Sequence, residues 1–217
     1  MKTLTLWILV VLCPAAAMAA SPDEPHPHAG IIAPFKGKPA LPELSAKNLE
    51  TLANGKAVQS QIKQEDGTAR GLAVQDVHAT PEVIWDRILK FEKYTDWVSN
   101  VTETEVYERK GQHIKVRFVL NATIMSVEYY IDHIYNPEEG YMTWTLDYSR
   151  QSDLDDSVGF WRVEPIPNMP GWSRLYYSVD VKLKGWVPGF IENSIAKSGL
   201  TKATAWVKRE SESAQSK

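Results

Sequence analysis

The sequence contains almost no cysteine and none of the short motifs that identify common enzyme classes. Its single cysteine, Cys13, lies in an apolar stretch near the amino terminus, so the chain beyond it can form no internal disulfide. No Gly-x-Ser-x-Gly nucleophile motif, phosphate-binding loop or dinucleotide-binding fingerprint is present. Basic residues number 24 against 27 acidic ones and form no cluster interleaved with aromatic residues, which argues against a nucleic-acid partner.

The first 20 residues have the layout of a cleaved signal peptide. Lys2 supplies the charged start, residues 4–12 form a short apolar core, and Ala17-Met18-Ala19 offers the small residues of a cleavage site. The apolar run is shorter than the stretch of about 20 residues that a membrane span needs. We therefore predict an exported protein with a signal peptide at residues 1–20, and the lack of disulfides favours the periplasm over the extracellular space.

Residues 21–42 are rich in proline and small residues and lack periodicity, which predicts a flexible lead-in. Within them, His26 and His28 stand two residues apart. Two imidazoles without a third ligand make a poor metal site, so we predict no metal and no cofactor. The acidic run at residues 153–156 lacks the glycine and terminal glutamate of a calcium loop and predicts a solvated loop.

Most of the chain from residue 56 onward alternates between apolar and polar residues, as half-buried strands do. The alternation is strict at His113–Asn121, where every second residue from Ile114 to Leu120 is apolar. Short turns join most of these segments, which indicates a single curved antiparallel sheet. The predicted strands cover residues 56–64, 69–78, 101–108, 113–121, 125–132, 142–148, 158–164 and 175–183.

Helical segments precede, interrupt and follow these strands. Residues 42–52 have a helical composition, and Thr80 with Pro81 has the cap and first-turn preferences of a short helix, which a second short piece follows as far as Trp97. A long helix begins at Pro188, before a polar tail at residues 211–217 that we predict to be disordered. The predicted fold class is α+β, with a curved antiparallel sheet wrapped around the long carboxy-terminal helix and two short helices after an early strand.

Four stretches, in this order, resemble the START-like (helix-grip) superfamily, in its branch of polyketide cyclases/dehydrases and coenzyme-Q-binding START-like proteins. They are Ala79–Trp85, Phe91–Val98, Gly159–Pro165 and Gly185–Phe190. The resemblance implies a bent sheet that grips the last helix around a hydrophobic cavity, and we place this ligand-binding domain at residues 43–210. Similar proteins bind lipids, quinones, polyketides or hormones, and some catalyse cyclisation. The superfamily shares no catalytic motif, so the resemblance assigns no catalytic residue.

The apolar faces of the strands and of the last helix predict the wall of such a cavity. Aromatic and aliphatic side chains build apolar pockets, and tyrosine hydroxyls can orient a ligand carbonyl. An ordinary core would have the same composition, and that alternative stays open. Trp186 and Phe190, predicted at the cavity mouth, either make a transient membrane contact or pack over the end of the sheet. The predicted ligand-binding residues are Phe118, Met125, Tyr129, Trp144, Tyr148, Trp161, Tyr177, Ile191, Ile195 and Gly199.

Two functions follow from these observations. We favour an exported carrier of a hydrophobic small molecule, which is lipid-, quinone- or polyketide-like. The alternative is a cyclase or dehydrase that acts on a polyketide-like substrate, for which His133, Asp147 and Tyr148 are the candidate proton-transfer groups, although Asp147 is predicted to point outward. Asn100 and Asn121 stand in Asn-x-Thr acceptor patterns, which carry glycans only in a host that glycosylates exported proteins.

Overall fold

The computed structural model describes residues 19–63, 69–122, 125–185 and 189–216, and for residues 63, 69, 122, 125, 189–199 and 201 it describes the backbone alone. The strands are β1 Val58–Lys63, β2 Ala69–Val77, β3 Val101–Lys110, β4 His113–Ala122, β5 Met125–Asn136, β6 Tyr141–Leu146, β7 Leu154–Pro165 and β8 Ser173–Leu183. The helices are α1 Ala46–Ala53, α2 Pro81–Leu89, α3 Tyr94–Trp97 and α4 Gly189–Gln215, with a 3₁₀ turn at Phe91–Lys93. Every predicted strand and helix is present.

The strands form one antiparallel sheet in the spatial order β1-β2-β8-β7-β6-β5-β4-β3. Register shifts interrupt the β3–β4 ladder at Val101/Glu103 and Val106/Glu108, and the β7–β8 ladder at Leu154/Asp156. Such bulges bend a strand and increase its local twist. The sheet curves around α4, which packs against β2, β8 and α2. The predicted α+β fold with a sheet wrapped around the last helix is confirmed.

The short helix α2 covers the inner face of the sheet, which we define as the face toward α4. Ile84, Ile88 and the following Phe91 are all buried in the same core, as their helical spacing predicts. Pro81 stands in the first turn, and Thr80 occupies the cap position. The Thr80 side chain, however, makes no capping hydrogen bond, so α2 is held by its buried face rather than by its cap.

A second apolar cluster lies on the outer face of the sheet. Leu72 and Val74 of β2 are fully buried there beside Phe160 of β7, and Leu52 of α1 covers them. An antiparallel sheet commonly leaves one face in water. Here both faces of β2, β7 and β8 are covered.

The segment from residue 19 to residue 44, which we call the strap, lies along this outer face. Ser21 pairs with Gln151 in an isolated bridge, and the Phe35 ring meets Phe160 edge to face at 5.0 Å. The backbone N–H groups of Ile31 and Ile32 both donate to Asp156 Oδ2 at 2.7 Å. This arrangement differs from the flexible lead-in predicted for residues 21–42, because distant carboxylate and aromatic partners hold a segment that has no periodicity of its own.

Strand β7 begins at Leu154, four residues before the position that the alternation predicts. The prediction of a solvated loop is wrong for Asp156, whose side chain is fully buried. Its carboxylate accepts hydrogen bonds from the strap, from the Tyr148 hydroxyl at 2.7 Å and from the Ser157 N–H at 2.8 Å. A buried carboxylate is tolerated when donors surround it in this way.

Helix α4 continues through Gln215 and so includes most of the tail that we predict to be disordered. Ser211 is fully buried, and Glu212 accepts hydrogen bonds from the His78 N–H at 3.0 Å and from Lys208. The burial of Ser211 and the hydrogen bond between Glu212 and His78, which follows β2, account for the extension of α4 beyond residue 210.

Candidate functional site

The inner face carries a continuous series of aromatic rings between the sheet and its helices. Trp161 packs on Tyr177 with ring centroids 4.1 Å apart, and Trp144 stacks on the same Tyr177 at 5.8 Å. Phe118 stacks on Tyr129 at 5.4 Å. We call this group the aromatic lining, and its members are Phe91, Tyr94, Phe118, Tyr129, His133, Trp144, Trp161, Tyr177 and Trp206.

Tyr94, Tyr129 and Tyr177 place three phenol groups within this lining. Burial raises the pKa of each phenol, and the pKa of Tyr94 is raised further because Tyr177 and Tyr129 lie close enough to repel its charged form. The Tyr94 hydroxyl donates to the Ile88 carbonyl oxygen at 2.7 Å. Within the ranges that the structure describes, the hydroxyls of Tyr129 and Tyr177 have no hydrogen-bond partner. The aromatic lining therefore presents two neutral hydroxyl donors among mostly apolar side chains.

His133 lies on the same wall between Phe91 and Trp144, with ring centroids 4.9 Å and 6.0 Å away. Its Nδ1 donates to the Ile114 carbonyl oxygen at 3.1 Å, which leaves the lone pair on Nε2. Burial lowers the pKa of His133 to about 3, despite that hydrogen bond. The imidazole is consequently neutral over the physiological pH range and is a weak base.

We expect His133 to make the protein less stable in mild acid. Its pKa is about 6.5 in an unfolded chain and about 3 in the folded one. Below pH 6.5 the unfolded chain therefore binds a proton that the folded chain does not, and the free energy of unfolding falls as the pH drops toward about 3. At about pH 4.5 this loss amounts to about 2.7 kcal/mol, which His133→Phe should largely remove.

Urea unfolding of the wild type and of His133→Phe at about pH 7 and about pH 4.5 measures this difference. The matched control is His113→Phe, because His113 is 47% exposed at its side chain and pairs with Asp132 on the outer face. An acid-induced loss in His133→Phe as large as that of the control would contradict the assignment.

The structure brings together five of the predicted ligand-binding residues, which are Phe118, Tyr129, Trp144, Trp161 and Tyr177. For Met125, Ile191, Ile195 and Gly199 the side chains lie outside the described residues, as do Trp186 and the Phe190 side chain, so these predictions stand as predictions. Four members of the lining are not among the predicted ligand-binding residues, and they are Phe91, Tyr94, His133 and Trp206. The local pattern does not show which side chains of the helices meet the inner face of the sheet.

Tyr148 packs against the same core cluster, but its ring contacts are with the strap and not with the aromatic lining. Strand β6 ends at Leu146, so the alternation that predicted an inward Tyr148 does not extend to it. Its hydroxyl donates to Asp156, and its ring lies about 6 Å from the rings of His26 and His28 in the strap. Asp147 is oriented as predicted, because its carboxylate accepts from Tyr107 and pairs with Lys115.

Two of the surface clefts among the described residues are well defined, and neither includes a member of the aromatic lining. One, of about 290 Å³, lies between the β3–β4 turn at Gly111 and the β5–β6 turn at Asn136. The other, of about 430 Å³, lies between α3 and the end of α4 around Trp97 and Ser213. Both are open to solvent and have few apolar lining residues, so the aromatic lining is the stronger candidate site for a hydrophobic ligand.

Solved structures with the same fold come from bacteria and from human. A START superfamily protein from Mycobacterium smegmatis matches with a TM-score of 0.55 and 19% identity, over 73% of this chain and 99% of that one. Human StAR-related lipid transfer protein 5 matches with a TM-score of 0.56 and 15% identity, over 73% of this chain and 83% of that one. The Zhui aromatase/cyclase from Streptomyces sp. R1128 matches with a TM-score of 0.53 and 10% identity, over 71% and 93%.

At these identities the likeness establishes the START-like helix-grip fold. No curated protein sequence matches the chain. The sequence profile of one family does, across residues 70–212, from the start of β2 nearly to the end of α4. That range holds the whole aromatic lining and leaves the strap outside it. The chain belongs to the family of polyketide cyclases/dehydrases and lipid transport proteins.

Proposed function

We propose that this chain is an exported carrier that binds a hydrophobic small molecule between the inner face of the sheet and α4. The molecule is lipid-, quinone- or polyketide-like, with an apolar body and at least one hydrogen-bond acceptor. Apolar burial supplies the affinity, at about 25 cal/mol per Å² of apolar surface before ordering costs are subtracted.

The observation that carries this proposal is the pair of Tyr129 and Tyr177 hydroxyls in the aromatic lining. The Tyr94 hydroxyl donates to the Ile88 carbonyl oxygen. The side chains of Tyr129 and Tyr177 are only partly buried, and the hydrogen bonds among the described residues include neither hydroxyl. An apolar wall with a few such donors is the common form of a small-molecule site. A ligand carbonyl or hydroxyl oxygen would satisfy both groups.

The relatives support a ligand of this kind. The family description joins polyketide cyclases and dehydrases with lipid transport, and two of the structural neighbours are named as lipid transfer proteins, from human and from Xanthomonas axonopodis. A third is an aromatase/cyclase. A lipid is a large apolar molecule, which is the kind of ligand that the aromatic lining would accommodate.

The titratable groups of the aromatic lining are less suited to catalysis by proton transfer than to ligand binding. A general acid or base works best when its pKa lies near the operating pH. Burial moves the pKa of His133 down to about 3 and raises the pKa values of Tyr129 and Tyr177, so all three move away from neutrality. These groups are arranged to stay neutral, which favours binding over catalysis.

Export rests on the signal peptide proposed for residues 1–20, of which residues 1–18 lie outside the described part of the chain. None of the helices in the described ranges is long and apolar enough to span a bilayer. We propose further that Trp186 and Phe190 make a transient contact with a membrane surface, where the apolar cargo would be collected or delivered.

We expect Tyr177→Phe to bind a quinone about fivefold more weakly than the wild type, because the ring packing is kept while one hydrogen bond of about 1 kcal/mol is lost. Decylubiquinone is a suitable probe, since its carbonyl oxygens accept hydrogen bonds and it quenches the fluorescence of nearby tryptophans. Titration of that quenching gives the dissociation constant. Native mass spectrometry of protein purified from its own host, with organic extraction alongside, identifies any bound apolar molecule.

The matched control is Tyr130→Phe, because Tyr130 follows Tyr129 of the aromatic lining directly in β5. Tyr130 lies on the outer face, where its hydroxyl donates to Glu128 at 2.6 Å. Its loss should leave quinone affinity unchanged. Equal weakening by Tyr130→Phe and Tyr177→Phe would show that the effect is not local to the lining. Absence of both quinone quenching and extractable apolar material would contradict the carrier proposal.

A further inference from the structure

The strap carries two histidines that the fold brings against an aspartate of β7. His26 Nε2 lies 2.9 Å from the Asp155 carbonyl oxygen, and His28 Nε2 lies 3.2 Å from Asp155 Oδ1. The two imidazole rings meet edge to face with centroids 4.7 Å apart. One ligand atom from each of the three side chains lies within 4.8 Å of the other two. The third ligand that the sequence pattern lacked comes from 127 residues along the chain.

We propose that His26, His28 and Asp155 bind one divalent transition-metal ion of the zinc class, which fastens the strap to the sheet. Two imidazole nitrogens and one carboxylate oxygen form a typical three-ligand zinc set, with water completing the tetrahedron. At metal–ligand distances of about 2.0–2.1 Å, tetrahedral ligands are about 3.3 Å apart. The 3.2 Å separation of His28 Nε2 and Asp155 Oδ1 already meets that requirement.

The backbone on each side of the histidines is held in place. The His26 N–H donates to the Tyr148 carbonyl oxygen at 3.0 Å, and the Ile31 and Ile32 N–H groups are bound to Asp156, next to Asp155. Pro27 restricts the backbone between the two histidines. To close the site, His26 Nε2 has to leave the Asp155 carbonyl oxygen, and its Nδ1 has to give up the hydrogen bond from the Ser152 N–H at 3.5 Å, while the backbone on either side of the histidines is already fixed.

Access and side-chain chemistry also suit a metal ion. His26 is buried, whereas the side chains of His28 and Asp155 are 27% and 37% exposed, so an ion can enter from solvent. One carboxylate is a poor site for Ca²⁺ or Mg²⁺, which bind through several oxygens. Imidazole nitrogens favour zinc, copper and nickel.

Ligation would shift one proton on each ring. The Gly30 N–H donates to His28 Nδ1 at 3.1 Å, so the neutral ring carries its hydrogen on Nε2, where it faces Asp155. A metal ion on Nε2 takes the place of that hydrogen, and the ring then carries its proton on Nδ1. The Gly30 amide loses its acceptor as a result. Its NMR signal is therefore a direct reporter of ligation at His28.

The test is titration of the untagged chain without the predicted signal peptide, from residue 21 onward, with ZnCl₂ by isothermal calorimetry, with CaCl₂ in parallel. We expect one Zn²⁺ per chain at micromolar or tighter affinity, no Ca²⁺ binding, and about 100-fold weaker Zn²⁺ binding in both His28→Ala and Asp155→Asn. In ¹⁵N spectra the Nε2 signals of His26 and His28 and the Gly30 amide signal should shift together on addition of Zn²⁺.

The matched control is His113→Ala, because His113 also contacts an aspartate, with Nδ1 2.9 Å from Asp132 Oδ1, but belongs to no three-residue ligand group among the described residues. Its Zn²⁺ affinity should equal that of the wild type. Thermal unfolding in EDTA establishes that each variant is folded. The proposal is overturned if the wild type binds no Zn²⁺ at micromolar concentrations, if His28→Ala and Asp155→Asn bind as tightly as the wild type, or if His113→Ala loses as much affinity as they do.

Discussion

Replacing Gly159 with alanine is expected to lower the free energy of unfolding by about 3 kcal/mol, near the upper end of the usual cost of overpacking a core. Gly159 stands in the middle of β7, directly opposite Trp144 on β6 and Val179 on β8. A Cβ atom at this position would overlap the Trp144 indole and the Ser178 carbonyl oxygen. The backbone carbonyl cannot rotate away, and the indole is fixed between Tyr177 and His133. Urea unfolding, followed by tryptophan fluorescence, measures the loss.

Gly71→Ala is the matched control, since Gly71 also lies in a strand, on the inner face, without a positive φ angle. A Cβ atom there would come within 2.7 Å of Leu200 Cδ1 alone, and the end of a leucine side chain can shift. We expect its free energy of unfolding to stay within about 1 kcal/mol of the wild type. Equal losses in the two variants would mean that the Trp144 contact is not what requires a glycine at position 159.

Asp76→Ala is expected to cost about 3 kcal/mol of stability, at the lower end for a buried pair, because it leaves a partly buried guanidinium without its carboxylate partner. Asp76 and Arg174 face each other across β2 and β8, with Nε to Oδ1 at 2.6 Å and Nη2 to Oδ2 at 2.9 Å. The Asp76 side chain is 8% exposed and that of Arg174 is 18% exposed. Urea unfolding midpoints and slopes give the change in free energy.

Two further variants isolate the cause. The double replacement of Asp76 by leucine and Arg174 by methionine removes both charges together and should recover most of the loss. Asp96→Ala breaks a surface pair with Lys93, in which both side chains are more than half exposed, and should cost no more than about 0.5 kcal/mol. A double variant as unstable as Asp76→Ala would assign the cost to lost packing instead of the unpaired charge.

The fold could be predicted from local pattern because each strand carries its own alternation. His113–Asn121 shows which of its residues face inward, and the structure places Phe118 and Val116 in the inner core accordingly. The same rule placed Tyr129 and His133 on one face of β5. Period-two patterning therefore identified most of the aromatic lining, since a strand residue two positions away lies on the same face.

The rule failed where the strand stopped. Tyr148 continues the alternation of β6 in the sequence, but the chain turns at Asp147, whose carbonyl oxygen accepts from the Arg150 N–H at 3.0 Å. A serine two residues on, Ser149, also binds the Asp147 carboxylate. Such side-chain turns compete with the ladder, and their outcome depends on partners that the alternation does not show.

The strap and the acidic run could not be predicted because each is ordered by the other. Residues 21–42 have no apolar periodicity, and residues 153–156 have the composition of a solvated loop. Only in the folded chain do the Ile31 and Ile32 N–H groups meet Asp156, and His26 and His28 meet Asp155. Contacts between segments more than 120 residues apart leave no trace in either segment's local sequence.

The long distance along the sequence between the strap and its partners has a consequence for the order of folding. Its partners in β7 lie 125 residues downstream at Asp156 and 129 at Asp155, and the cost of closing so long a loop must be met before any of these contacts forms. We therefore expect the strap to dock after β7 has paired with β6 and β8, although it is synthesised before them. Until the strap docks, Phe35 does not cover Phe160. Because contacts that form after the folding transition state change mainly the rate of unfolding, we expect the contacts of the strap to slow unfolding more than they speed folding.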